Sequence, residues 1–177
     1  SSEGFDRLWE ALLLTDFTFP TIGHFQPVVW FGILSAAGSL VSLVVVEAAR
    51  LRLERLTLVP ARAASALAGL TALTMLAILT LALAPTFAAA FALLLAKSVL
   101  SALASPLQQS WLVQNIPARV RATVLSMSGL SNALGQTAGG PGIGVLGDRR
   151  GLRSAIFAAG LLILPQIGVF AYAGRYP

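Results

Sequence analysis

The sequence predicts an all-α integral membrane protein, and three observations lead to that prediction. Hydrophobic residues make up 56% of the chain and charged residues only 11%, about half the charged share of a soluble domain. The mean hydropathy is +0.82. Uncharged apolar runs of about 20 residues, enough to cross a hydrocarbon core of roughly 30 Å, recur along the chain. Because unpaired backbone groups are costly in lipid and the runs lack the alternation of barrel strands, each run is predicted to be a helix.

The first segment is less apolar and is predicted to be an amphipathic helix over residues 2–14. Its charged residues recur at spacings of three and four, which place them on one helical face. In one interpretation this face lies in solvent outside the membrane. In the other, the segment is the end of a truncated transmembrane helix whose charged face lines a watery cavity. The residues of this face are Glu3, Asp6, Arg7 and Glu10, and residues 15–26 are predicted to follow as an external loop.

Four uncharged runs and one interrupted run follow the first segment. The uncharged runs predict spans at 27–46, 63–84, 122–147 and 154–174. The fifth, 87–109, has the required length but contains Lys97 near its middle. In the first span, small residues at intervals of about four predict close packing against another helix. These small residues are Gly32, Ser35, Ala36 and Ser39.

The basic residues predict an orientation and a multi-pass location in the cell membrane. Segments 47–62 and 115–121 are rich in arginine and are predicted to be cytoplasmic, because positive charge favours that side. Segment 148–153 falls on the opposite side and carries three arginines, which counts against this orientation.

Polar residues also form stripes along two of the predicted spans. A charge at the membrane centre costs on the order of 3 kcal/mol, so Lys97 is expected to face water or a counter-charge. Ser101, Ser105 and Gln108 continue its face at about one residue per turn. The second stripe, Ser128, Asn132 and Gln136, is interpreted as hydrogen bonding between helices.

Several other classes of function are not supported by the residues. The net charge of +5 is scattered between apolar blocks rather than gathered on one face, so no nucleic-acid partner is predicted. The glycines of segment 142–147 match a dinucleotide-binding fingerprint, but no strand precedes them and no acid follows at the required distance. No ATP-binding loop, catalytic set or metal-ligand set is recognised. We therefore expect no enzyme activity, no metal and no cofactor.

Three stretches in the second half of the chain form a recognisable pattern: Pro117 to Ser126, Leu134-Gly135-Gln136 and the run from Gly139 to Gly144. Together they resemble helix eleven of major facilitator superfamily transporters. Segments 3–10 and 27–32 are similar to helices seven and eight of its bacterial drug-efflux-like members. The resemblance implies the C-terminal half of a twelve-helix protein, a six-helix bundle with its first helix truncated. Helix seven would be 2–14, eight 27–46, nine 63–84, ten 87–109, eleven 122–147 and twelve 154–174.

The resemblance also implies a function and a partner. The function would be secondary active transport by alternating access, specifically efflux of an amphipathic compound or drug coupled to a proton gradient. The partner would be a missing N-terminal six-helix half. In this family helices seven and ten border the central cavity, which would bring Asp6 or Glu10 towards Lys97. A gating or packing role would fall to Arg119, Arg121, Gly139, Gly140, Pro141 and Gly144.

Two alternatives to this interpretation stay open. Lys97 and an acid could form a structural ion pair that fixes helix packing. The whole chain could also be a non-transporting membrane protein, either a scaffold subunit or an intramembrane enzyme. A six-helix half preceding this segment in the reading frame would favour the transporter.

Overall fold

The computed structural model describes the backbone of residues 3–17, 27–114 and 116–175. Within these ranges the side chains of residues 3–7, 27–28, 118, 121, 132 and 135–143 are not described. The described residues contain helices and short connections and no strand. The elements are α1 (Glu3–Asp16), α2 (Pro27–Thr57), α3 (Pro60–Leu81), α4 (Phe87–Gln114), a 3-10 turn (Ala118–Val120), α5 (Arg121–Arg150), α6 (Leu152–Leu161) and α7 (Leu164–Ala173).

Four helical stretches are long and apolar enough to cross a membrane, in the part of the chain that the structure describes. They are Val29–Thr57, Pro60–Leu81, Phe87–Gln114 and Leu152–Ala173. The predicted all-α class is confirmed, and these spans agree with a membrane protein. The predicted span 122–147 falls within α5, where the apolar described stretch is the shorter Ala122–Ser131.

α2 extends well beyond the predicted span, and most of the predicted loop 47–62 is helix. At 1.5 Å per residue its 31 residues measure about 46 Å, more than a hydrocarbon core requires. Arg50 lies 3.7 Å from Glu47 and 3.4 Å from Glu54, at spacings that favour a helix. The connection to α3 is short because Pro60 stands in the first turn of the next helix, where a proline is well tolerated.

α3 lies at the centre of the bundle, in contact with α2, α4, α6 and α7. Two apolar cores form along it. The first core gathers Ile78 and Leu81 of α3 with Leu12 of α1, Leu94 of α4 and Ile156 of α6. The second core lies towards the other end of α3 and consists of Ala63, Leu67, Leu107 and Phe170.

The last predicted span, 154–174, is two helices rather than one. α6 ends at Leu161, and α7 begins at Leu164 with a proline in its first turn. Pro165 has no backbone N–H to donate, and its ring clashes with the carbonyl of the residue four positions earlier. Together with Gly160, the proline interrupts a segment that is otherwise apolar throughout.

Close helix packing occurs at Gly38 and Gly160, which the sequence analysis did not single out. A Cβ built on Gly32 would meet no described atom within 4 Å, whereas one on Gly38 would lie 3.4 Å from Ser98 Oγ. α2 therefore approaches α4 through the face that carries Gly38. A Cβ on Gly160 would lie 2.9 Å from Leu79 Cδ2, so α6 and α3 also approach closely there.

Candidate functional site

A layer of polar residues lies between the two apolar cores. On α3, Thr71 and Thr74 fall between Leu67 of one core and Ile78 of the other. These threonines lie about 16 and 21 Å along a helix of 22 residues, close to its middle. On α4, Ser101 falls between Leu94 and Leu107 of the same two cores. Along the bundle the layer therefore lies between the two cores, with Thr71 buried and Ser101 exposed.

A cavity of about 220 Å³ opens in this layer. Its described lining comes from α3, α4, the start of α7 and the turn before it. Most of these residues are polar, and they include the whole stripe that the sequence predicted on α4. The lining consists of Thr71, Thr74, Ile78, Lys97, Ser101, Ala104, Ser105, Gln108, Ile163 and Gln166.

A second cavity of about 760 Å³ adjoins the first. The two share Ser105, Gln108 and Gln166, so they lie side by side, and together they are called the crevice. α5 packs mainly against α6 and α1 rather than against α4, which leaves this space between α4 and α5. The second lining mixes polar and apolar residues: Ser105, Gln108, Gln109, Leu112, Leu125, Ser128, Gly129, Ser131, Gln166 and Phe170.

The threonines of the layer use their hydroxyl protons within their own helix. Thr71 Oγ1 donates to the carbonyl of Leu67 at 2.7 Å, and Thr74 Oγ1 donates to that of Leu70 at 2.8 Å. These hydrogen bonds satisfy the two hydroxyl protons without water. The oxygens keep the capacity to accept a hydrogen bond, whereas Lys97 and the amide groups of Gln108 and Gln166 supply donors.

Two prolines interrupt the helical hydrogen bonding beside the cavity. Pro106 stands inside α4 between two lining residues, Ser105 and Gln108. Pro165 stands at the start of α7, directly before Gln166. A proline frees the carbonyl four residues earlier, and such backbone is tolerated in membranes where it lies within protein or lines a cavity.

The predicted site residues are only partly brought together. Lys97, Ser101, Ser105 and Gln108 line one cavity. Glu10 is exposed on α1, which packs against α5 and α6, and it is not among the described residues of that lining. The side chains of Glu3, Asp6 and Arg7 lie outside the described residues.

The predicted gating residues are described in part. Arg119 is exposed on the 3-10 turn. Side chains of Arg121, Gly139, Gly140 and Pro141 lie outside the described residues, although the backbone of α5 is helical through all four positions. At Gly144 no described atom lies within 4 Å of an added Cβ, so close packing is not seen there.

The sequence interpretation missed three polar residues of the layer. Thr71 and Thr74 share a helix face because they are three residues apart, and this spacing could have been recognised in the sequence. Gln166 is an isolated amide in an apolar run, and only its position directly after a proline distinguishes it.

Arg153 is a further missed residue, and it joins three parts of the fold near the end of α3. Its Nε lies 2.7 Å from Asp16 Oδ2, at the end of α1. Its Nη1 donates to the carbonyls of Ala82 and Ala84, at 3.2 and 3.1 Å, just after α3. The guanidinium also lies 5.6 Å from the centre of the Phe17 ring. One of the arginines that opposed the predicted orientation therefore has a structural role.

Comparisons of the chain with protein-family models, curated proteins and solved structures found no match. The cavity and the residues that line it are therefore the basis for a proposed function.

Proposed function

We propose that this chain forms one half of a secondary active transporter in the cell membrane. The transporter exports a small amphipathic solute and is driven by a proton gradient. The observation that carries the proposal is the polar layer with its single lysine, which lies between two apolar cores in a bundle of membrane-length helices.

Polar and charged groups are costly near the centre of a membrane. Lys97 lies about 15 Å along α4 from Phe87, and a charge near the membrane centre is unfavourable unless it serves a pathway or a site. In transporters, solute sites characteristically lie near the midplane and are built from interrupted helices. The break between α6 and α7 supplies such an interruption beside the cavity, whereas Pro106 removes one backbone donor within the continuous helix α4.

The second cavity supports an amphipathic solute. Its lining places Leu112, Leu125 and Phe170 beside serine and glutamine side chains. Most small-molecule sites have this composition, with an apolar wall and a few polar groups that fix orientation. Its volume of about 760 Å³ also falls within the usual range of roughly 300–1,000 Å³ for such sites.

The partner in this proposal is a second six-helix bundle. Alternating access requires two bundles that rock about a site between them, and the resemblance to the major facilitator superfamily suggests the missing N-terminal half. The space between α4 and α5 is the face on which that half would complete the site.

The test is transport by the full-length protein with Lys97 replaced. In inverted membrane vesicles with an imposed proton gradient, Lys97→Met is expected to abolish uptake of a fluorescent amphipathic dye while protein abundance persists. Lys97→Arg should keep most of the rate, and Arg52→Met, which removes an exposed charge from α2, should match wild type. Normal transport by Lys97→Met would contradict the role of the lysine. Loss of the folded protein would instead favour a structural ion pair in a scaffold.

A further inference from the structure

We infer that a groove between the end of α5, the start of α6 and the turn after α3 binds an anionic phospholipid. The phosphate lies at Arg150 and Arg153, and an acyl chain follows α6 into the membrane. The described lining of this groove shares no residue with the crevice of the polar layer. The inference therefore goes beyond the proposed transport and does not depend on it.

The groove has a polar end and an apolar wall. It is a cavity of about 550 Å³, with Arg150, Arg153 and Ser154 at one end. Leu83, Phe157 and Leu161 belong to the rest of its lining. A volume of this size is within the usual range of roughly 300–1,000 Å³ for sites that take small molecules. It is enough for a phosphodiester head group and the upper part of one chain, while the remaining lipid stays in the bilayer.

The position of the groove along the bundle matches the two parts of a lipid. α6 and α7 together form the candidate span Leu152–Ala173, so Arg150 and Arg153 lie at the membrane boundary. Leu161 follows Arg153 by eight residues, which is about 12 Å along α6. One leaflet of the hydrocarbon core is roughly 15 Å thick. The groove therefore begins at the depth of the head groups and continues through most of a leaflet.

The arginines retain hydrogen-bond donors for a phosphate. Arg150 is exposed, and no ion pair between it and another described residue is present. Arg153 uses Nε for Asp16 and Nη1 for two carbonyls, which leaves the two N–H groups of Nη2. The planar guanidinium group binds phosphate oxygens through paired N–H donors. Ser154 adds an exposed hydroxyl group.

The charge at this end complements a head group with one negative charge. The described charged residues here are Asp16, Asp148, Arg149, Arg150 and Arg153, three positive and two negative. Asp16 pairs with Arg153, and Asp148 offsets its neighbour Arg149 in net charge, so one positive charge remains. Basic pockets between transmembrane helices are typical sites for anionic head groups. A zwitterionic head group has no net charge and would bring its own cation towards Arg150.

The arginines, rather than the apolar wall, determine the preference for one lipid class. Leu83, Phe157 and Leu161 are 71%, 42% and 42% exposed. Exposed apolar side chains are ordinary on the lipid-facing side of a spanning helix, and they contact the chains of any phospholipid. Two guanidinium groups at the head of the same groove are not ordinary, because charge near lipid is costly without a counter-charge. A bound phosphate supplies that counter-charge.

The experiment is native mass spectrometry of the purified full-length protein in a non-ionic detergent. The probes are phosphatidylglycerol and phosphatidylcholine with identical acyl chains, added together in equal amounts. Wild type should bind phosphatidylglycerol more tightly than phosphatidylcholine. In Arg150→Met the affinity for phosphatidylglycerol should fall about fivefold, the usual effect of one basic residue on an anionic lipid. The affinity for phosphatidylcholine should not change.

Arg149→Met is the matched control, because it removes the same charge one residue away from the groove lining. It should weaken phosphatidylglycerol by less than about twofold, since exposed charges outside a contact are screened by salt. Phe157→Ala should weaken both lipids equally, because it shortens the apolar wall and keeps the arginines. Glycerol 3-phosphate carries the phosphate without chains and should not displace the lipid at equal concentration.

A second measurement covers the case that complexes dissociate in the gas phase. Phosphatidylglycerol should raise the thermal unfolding midpoint of wild type and Arg149→Met more than that of Arg150→Met, because a ligand stabilises the state that binds it. Three results would overturn the inference. They are equal affinity of wild type for the two lipids, equal loss in Arg149→Met and Arg150→Met, and displacement of the lipid by glycerol 3-phosphate, which would indicate a site for free phosphate.

Discussion

Replacement of Arg153 by methionine is expected to loosen the attachment of α1 to the rest of the bundle. Arg153 is the residue through which the end of α1, the turn after α3 and the start of α6 meet. Methionine keeps much of the apolar length of the side chain and removes the guanidinium. The change therefore tests the polar contacts and leaves most of the packing in place.

The size of the effect follows from the exposure of the pair. The side chains of Arg153 and Asp16 are 41% and 31% exposed, and an ion pair this accessible contributes about 0.2–1 kcal/mol. The carbonyls of Ala82 and Ala84 are partly buried, and each bond to the guanidinium contributes about 1 kcal/mol after discounting for solvent. We expect Arg153→Met to destabilise the bundle by about 2–3 kcal/mol in all.

The assay is unfolding of the full-length protein by SDS in mixed micelles, followed by circular dichroism. Arg149→Met is the control, because this substitution removes the same charge from an exposed position near the end of α5. A double-mutant cycle with Asp16→Asn isolates the ion pair, whose coupling should be below about 1 kcal/mol and should fall further at high salt. The reasoning fails if Arg153→Met and Arg149→Met unfold at the same SDS fraction, or if Asp16→Asn alone costs as much as Arg153→Met.

Three further predictions concern packing, orientation and α5. Gly160→Val should destabilise the bundle by about 1–3 kcal/mol because Leu79 lies where the new side chain must go. Gly168→Val is the control and should cost much less, because no described atom lies within 4 Å of a Cβ added there. Equal unfolding midpoints of the two variants would contradict this prediction. Single cysteines at His24 and Arg52 should react with an impermeant maleimide from opposite sides of the membrane, and labelling of both from one side would refute the orientation. Gly140→Leu combined with Pro141→Ala should slow transport without reducing the amount of protein, since proline and glycine permit bending and close approach; an unchanged rate would remove any mechanical role for this patch.

The helices and the polar stripe of α4 could be predicted from the sequence because both depend on local pattern. Long uncharged runs specify spans through the thickness of the membrane. Lys97, Ser101, Ser105 and Gln108 share a face because the helix repeats every 3.6 residues. The predicted positions of the helix ends were less accurate. The continuation of α2 to Thr57 depends on pairs such as Arg50 with Glu54, which a criterion based only on hydrophobicity does not register.

Tertiary contacts were not predictable from the same patterns. The position of Asp16 beside Arg153 links residues 137 positions apart, and no periodicity relates them. The choice of Gly38 rather than Gly32 as the close contact of α2 depends on how that helix is rotated against α4. In the uncharged part of α2, residues 27–46, the sequence offers little signal for that rotation, because several faces could be buried equally well.

The two apolar cores and the polar layer between them divide the residues that determine stability from those that determine binding. Each core contains fully buried leucine or isoleucine side chains, such as Ile156 in the first and Leu67 in the second, and deletion of such groups typically costs about 2–5 kcal/mol. The residues of the layer are mostly accessible, so their replacement leaves little volume unfilled. Helix packing is therefore secured at both ends of α3, and the middle is free to vary in charge and hydrogen bonding. Substitutions at Ser101, Ser105 or Gln166 should consequently change what the crevice binds far more than whether the protein folds.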